Sequence, residues 1–191
     1  RAWQRQRIAG NEGATGSLIP RYTNPEMGRI WSEQRRYETW LQVEVAAAEA
    51  MAEAGIVPAE AAKDLRDKGA FNIARIDEIE KTTQHDVIAF TTSVAEIAGP
   101  SARWLHFGLT SSDVVDTAQA IQMVEACDLV LKNMKTLGEA IKARADEHKY
   151  TPMIGRTHGV HAEPMTFGLK LALWYAEWVR DSERVRRWDH H

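Results

Sequence analysis

Ten consecutive residues, Gly155-Arg156-Thr157-His158-Gly159-Val160-His161-Ala162-Glu163-Pro164, bring together two histidines, an arginine, a threonine and a glutamate. Imidazole titrates nearer neutrality than any other unperturbed side chain. A histidine in an accessible loop can therefore exchange a proton with a bound substrate. The two glycines break regular helix, and Pro164 suits the first turn of a helix that follows. Two other uses of His158 and His161 compete with acid–base work. One is metal binding, although neither an HExxH helix nor a cysteine cluster accompanies them. The other is packing of both rings.

Three more junctions concentrate polar groups. Arg21-Tyr22 precedes a helix start, where a guanidinium can grip phosphate or carboxylate through paired hydrogen bonds. It can equally lie as a surface arginine over a packed tyrosine. Gln84-His85-Asp86 stands where another helix begins, so Asp86 either caps the backbone or orients the His85 imidazole. Thr110-Ser111-Ser112-Asp113 has capping-box spacing at the head of the longest helical pattern. Its hydroxyls and free N–H groups form an anion site or an ordinary cap. Together the four junctions describe a site for a polyanionic substrate, with hydroxyls and histidines to move protons.

The elements that must position these groups read as helices. Asn24-Pro25-Glu26 combines an N-cap, a first-turn proline and a first-turn acid. Apolar residues then recur at helical spacing to Ala54, with Gly55 as the stop. Pro58 to Lys68 is a short helix closed by Gly69. Asn72 caps another running towards Lys81, and Asp86 to Ala98 ends at Gly99-Pro100. From about Ser111 to His148 nothing interrupts the pattern, which at 1.5 Å per residue is about 55 Å of helix. Pro152 ends it, and Pro164 to about Trp188 is helical again. No segment shows strand alternation.

The expected class is all-α. A leader of disordered residues covers 1–18, and a small N-terminal helical domain covers 19–110. The first part of a long-helix bundle covers 111–188, and a purification-tag remnant covers 189–191. Two long helices with broad apolar faces do not make a bundle by themselves. The sequence therefore reads as a fragment, or as a chain lending helices to an oligomer.

Composition narrows the function. The 191 residues carry a formal charge of −3, with 44% hydrophobic and 27% charged side chains. Such a chain can bury a core and offers no basic surface for nucleic acid. No apolar run approaches the roughly 20 residues that span a bilayer. The single cysteine, Cys127, reads as a small packed residue. A cytoplasmic protein without membrane or nucleic-acid partners is expected.

Four segments carry a resemblance. They are Ile19-Pro20-Arg21-Tyr22-Thr23-Asn24-Pro25-Glu26-Met27, Thr83-Gln84-His85-Asp86-Val87, His106-Phe107-Gly108-Leu109-Thr110-Ser111-Ser112-Asp113 and the His158 loop. In this order they closely resemble the bacterial adenylosuccinate lyase family of the aspartase/fumarase superfamily, from about Ile19 to Arg187. The resemblance implies β-elimination of fumarate from a purine nucleotide substrate, without metal or organic cofactor. It also implies a homotetramer whose sites gather loops from three subunits. By resemblance His158 is the general acid, and His85 binds and orients the substrate. Arg21 and Tyr22 match phosphate-end residues, and Gln84 and Asp86 flank His85 in a binding segment. Thr110 and Ser111 match the pair that holds the succinyl carboxylates. His106 matches a further histidine near the site, and Thr157 a substrate contact. The family's base, a serine on a flexible loop, has no counterpart here. An N-terminal fragment with little activity of its own is expected. Two alternatives remain: a sister lyase acting on argininosuccinate or a carboxymuconate, and a helical interaction module without chemistry.

Overall fold

The computed structural model describes residues 19–188; the expected leader and tag remnant lie outside them. The chain divides into two compact units, residues 1–122 and 123–191. Each is described by itself.

The first unit is helical. A 3-10 turn, Pro20–Tyr22, leads into α1 (Pro25–Ile30) and α2 (Glu33–Glu53). After them come α3 (Ala59–Lys68), α4 (Ile73–Thr83), α5 (Asp86–Ala98) and a second 3-10 turn, Gly99–Trp104. The long helix α6 (Ser111–Glu147) starts here and continues into the second unit.

Local chemistry sets most of the boundaries. Asn24 caps α1 by accepting from the Glu26 and Met27 amides, and Asn72 caps α4 through the Arg75 amide. The single helix expected from Pro25 to Ala54 is instead two. The Ser32 hydroxyl donates to the Arg29 carbonyl and accepts from the Arg35 amide, so it ends one helix and caps the next. Serine competes with the helix for backbone partners, and here it prevails. α2 closes in a Schellman motif, with Ile56 N–H on the Met51 carbonyl, Gly55 N–H on the Ala52 carbonyl, and Gly55 at φ 73°.

An aromatic cluster holds the unit together. Tyr37 stacks on Phe90 at 5.6 Å between ring centres, and Trp40 meets Phe90 edge-on at 5.5 Å. Phe71 leans on both Tyr37 and Phe90. Leu65, Ile76, Val87, Val94 and Val114 complete a fully buried interior. Gln122 donates from Nε2 to the Ile30 carbonyl at 2.6 Å, tying α6 to the end of α1. Hydrogen bonds from Lys68 and then Ser101 hold the Asp64 carboxyl below its ordinary pKa. The Ser101 bond also pins the second 3-10 turn to α3.

The second unit corrects an expectation. Where a loop and an early helix start at Pro164 were expected, the chain forms an antiparallel hairpin, β1 (Pro152–Thr157) and β2 (Val160–Thr166). Helix α7 (Phe167–Trp188) begins only after it. Pro164 sits in β2 opposite Ile154, next to the register shift at Gly155, where a proline costs little in ladder bonds. Alternation appears in sequence only when one face packs on a core. Most of this hairpin is exposed on both faces, so the pattern was never written.

α6 and α7 pack antiparallel with almost no space at two glycines. A Cβ on Gly168 would lie 2.6 Å from the Ala145 carbonyl, and one on Gly138 would run into the Trp178 indole. That indole donates from Nε1 to the Met134 carbonyl at 2.8 Å. Thr151 O receives Phe167 N–H and His148 O receives Gly168 N–H, which pins the root of the hairpin.

Gly138→Ala separates two opposed effects. Helix propensity alone would stabilise α6 by about 1 kcal/mol. Displacing Trp178 would cost about 1–3 kcal/mol. We expect a net loss in thermal unfolding followed by circular dichroism, and a variant that melts higher would refute the Gly138–Trp178 contact.

Candidate active site

Among the described residues only three non-glycine positions have left-handed backbone: Gln84 at φ 48°, His106 at 59° and His158 at 50°. Each is a residue singled out from the sequence. Such geometry is costly for an L-residue and clusters where function fixes a side chain.

Gln84 ends α4, its N–H on the Glu80 carbonyl, and the turn delivers His85 as the N-cap of α5. His85 Nδ1 accepts the Ile88 amide at 3.4 Å. The proton of the neutral ring therefore sits on Nε2, and Nε2 faces Ser111 Oγ at 3.5 Å. Asp86 receives the Val87 amide and lies 3.7 Å from His85 Nδ1. Of the two roles open to Asp86, the backbone contact is the shorter one. The fold thus joins the second and third sequence junctions at the heads of α5 and α6.

Ser111 begins α6, and Thr110 N–H donates to Asp113 Oδ2 at 2.8 Å. That is one arm of the expected capping box, and the Thr110 hydroxyl keeps no partner among the described residues. Exposed N–H groups and a free hydroxyl at the head of a 37-residue helix favour a carboxylate.

His106 lies in the turn before Thr110, and its Nδ1 meets Glu44 Oε1 at 2.6 Å. Glu44 was not singled out from sequence, yet its side chain is fully buried. One signal was available. Tyr37, Leu41, Glu44 and Ala48 share one helical face, so the period assigns a carboxylate to a core position.

Arg21 lies over the Tyr22 ring at 4.7 Å, and both are exposed. Tyr22 also lines a shallow 250 Å³ cavity with Met27, Gly28 and Trp31. Arg21 has no carboxylate partner among the described residues and is available to an anion.

Thr157 and His158 belong to the second unit. His158-Gly159 is the two-residue turn of the hairpin, with φ 50° and 73°, both positive as a type I′ turn demands. The six-residue strand carries the turn about 20 Å from its root at 3.3 Å per residue. Arg156 pairs across the ladder with His161. The side chains of Arg156, Thr157, His158, His161 and Glu163 are exposed.

Residues 21–191 match the family described as lyase. The chain belongs to this lyase family. Over 170 residues it is 52% identical to adenylosuccinate lyase of Bacillus subtilis (strain 168), covering 89% of this chain and 39% of that protein. Adenylosuccinate lyase of Synechocystis sp. (strain ATCC 27184 / PCC 6803 / Kazusa) is 50% identical over the same shares. The crystal structure of fumarate lyase from Mesorhizobium sp. BNC1 superposes with a TM-score of 0.82 at 30% identity, over 90% of this chain and 41% of that one. This lyase chain therefore spans about two fifths of the length of the curated relatives it matches. The expected lyase family and helical fold hold, the hairpin aside. No described helix is long and apolar enough to cross a membrane.

His158→Asn and His158→Val test the turn apart from its chemistry. Asparagine tolerates left-handed backbone, whereas a β-branched residue does not. We expect hydrogen exchange at Val160 and Thr157 to stay near wild type in the Asn variant. It should rise about tenfold or more in the Val variant, as a strain of about 1–2 kcal/mol requires. Equal protection in both variants would contradict the left-handed turn.

Proposed function

We propose that this chain supplies the proton-donor hairpin and the carboxylate-binding helix end of a lyase that releases fumarate from adenylosuccinate, giving AMP. The same site would act on the succinylated aminoimidazole carboxamide ribotide. One observation supports this most strongly. The left-handed residues Gln84, His106 and His158 fall in three of the four segments that resemble the family.

The chemistry follows from the groups. The succinyl carboxylates sit on the hydroxyls of Thr110 and Ser111 and the first amides of α6, with His85 Nε2–H alongside. The phosphate lies on Arg21 beside Tyr22. A base removes a proton from the carbon next to one carboxylate, and the electron pair forms the C=C bond as the C–N bond breaks. His158 gives its proton to the leaving nitrogen, which would otherwise depart as an unstable anion. Thr157 steadies the substrate beside it, and Gln84 and Asp86 hold the His85 segment. The base is the loop serine of the family pattern, contributed from outside these residues. No metal or organic cofactor enters.

The hairpin also supports assembly. A two-stranded ribbon exposed on both faces is marginal in water, and Leu169, Leu173 and Trp174 leave a broad apolar surface on α7. Both features fit a homotetramer with sites shared between subunits, and the resemblance to the family supports a cytoplasmic location for that assembly.

A mixing experiment tests the reading. Alone, the chain should release little fumarate from adenylosuccinate. Mixed with a full-length relative that keeps its loop serine but carries asparagine at the histidine matching His158, it should restore fumarate release. A chain carrying His158→Asn should restore at least about 100-fold less, the usual range for a lost general acid. Equal recovery with His158→Asn would instead favour the helical interaction module. Preferred turnover of argininosuccinate or a carboxymuconate would favour a sister lyase.

A further inference from the structure

The Glu44 carboxylate is fully buried, and both of its oxygens are used by one residue. Oε1 lies 2.6 Å from His106 Nδ1, and Oε2 accepts the His106 backbone N–H at 2.7 Å. A buried carboxylate is costly unless its lone pairs meet donors. It lies among the buried residues of α2, two turns beyond Tyr37, whereas His106 lies in the turn that leads to Thr110 and Ser111. The pairing spans 62 residues of chain.

Two consequences follow from donor and acceptor identity. An ionised carboxylate only accepts, so Nδ1 must carry a proton. The ring nitrogen left over is Nε2, which holds a lone pair while the ring is neutral. The second bond grips the main chain of the same residue and holds His106 at its left-handed φ of 59°. Ring and backbone are thus fixed from one buried point.

We propose that Glu44 is a positioning residue. It locks His106 in the Nδ1–H form and presents Nε2 as a hydrogen-bond acceptor beside the carboxylate-binding end of α6. This extends the lyase reading, on which its use for catalysis rests. In that site Nε2 would take an N–H or O–H of the substrate, complementing the donors at Thr110 and Ser111.

The proton position can be read without any activity. Glu44→Gln is nearly isosteric and makes a specific demand. The backbone N–H of His106 can only donate, so it takes the amide oxygen. The amide NH₂ then faces Nδ1, which must give up its proton to Nε2. Nitrogen-15 spectra of histidine-labelled chain, assigned by loss of signal in His106→Gln, report which nitrogen is protonated. We expect a protonated Nδ1 in the wild type, whether the ring is neutral or charged, and a bare Nδ1 in Glu44→Gln. The other histidine signals and the circular dichroism should stay unchanged. A bare Nδ1 in the wild type overturns the proposal, as does a Nδ1 proton that persists in Glu44→Gln. Neither result depends on fumarate release, so failure of the lyase reading would show separately in the mixing experiment.

Discussion

The stack of Tyr37 on Phe90, with Trp40 against the ring edge, is the contact on which the first unit depends. It joins α2, which carries Glu44, to α5, which His85 caps. Glu44 stands two turns beyond Tyr37 on the same face of α2, so the rings also set the depth of the carboxylate that holds His106. His85 caps α5, which carries Phe90, and from there it faces Ser111. Interiors packed as densely as molecular crystals transmit displacement rather than absorb it. A shift of α2 on α5 would thus move His106 and His85 relative to the head of α6. The polar junctions lie at the edge of the unit, but their geometry is decided at its centre.

The second unit solves a different problem, that of holding one turn far from its support. Gly168 lies against the Ala145 carbonyl, and Gly138 leaves room for the Trp178 indole between α6 and α7. The amide bonds at His148 and Thr151 then fix where the strands emerge. Beyond that root, the ladder and the His158-Gly159 turn alone define the ribbon. The α6–α7 pair gives such an arm its base, while its exposed faces leave room for a partner to complete it.

What was legible in the sequence divides along physical lines. Helices with a buried face announced themselves by period, and caps such as Asn24, Asn72 and Gly55 marked their ends correctly. The polar junctions were visible because hydroxyls, imidazoles and carboxylates at helix ends are unusual in combination. The hairpin was not legible, because exposure on both faces removes alternation, and His-Gly is a weaker turn signal than Asn-Gly. The break at Ser32 depended on which of two backbone partners a hydroxyl would choose. Glu44 stood in plain view as a charge on an apolar face, but its partner lies far along the chain. Only the folded arrangement shows that the carboxylate meets an imidazole.

The backbone itself separates turns that need only a conformation from turns that need a side chain. Gly55, Gly99, Gly108 and Gly159 adopt positive φ as glycines, at no steric cost. Gln84, His106 and His158 adopt it with a Cβ, at roughly 1–2 kcal/mol each. Three such positions together approach about 3–6 kcal/mol, a large part of the 5–15 kcal/mol by which a domain is stable. Glycine would relieve each of them, and this chain uses glycine freely elsewhere. At His106 the compensation is visible in two hydrogen bonds to a buried carboxylate. At His158 no described residue compensates, and the ring stands exposed at the tip of a ribbon. A strained, exposed and unpartnered imidazole does nothing for the stability of its own unit. Its value lies in what it meets, and that is consistent with the proposed role of His158 as proton donor.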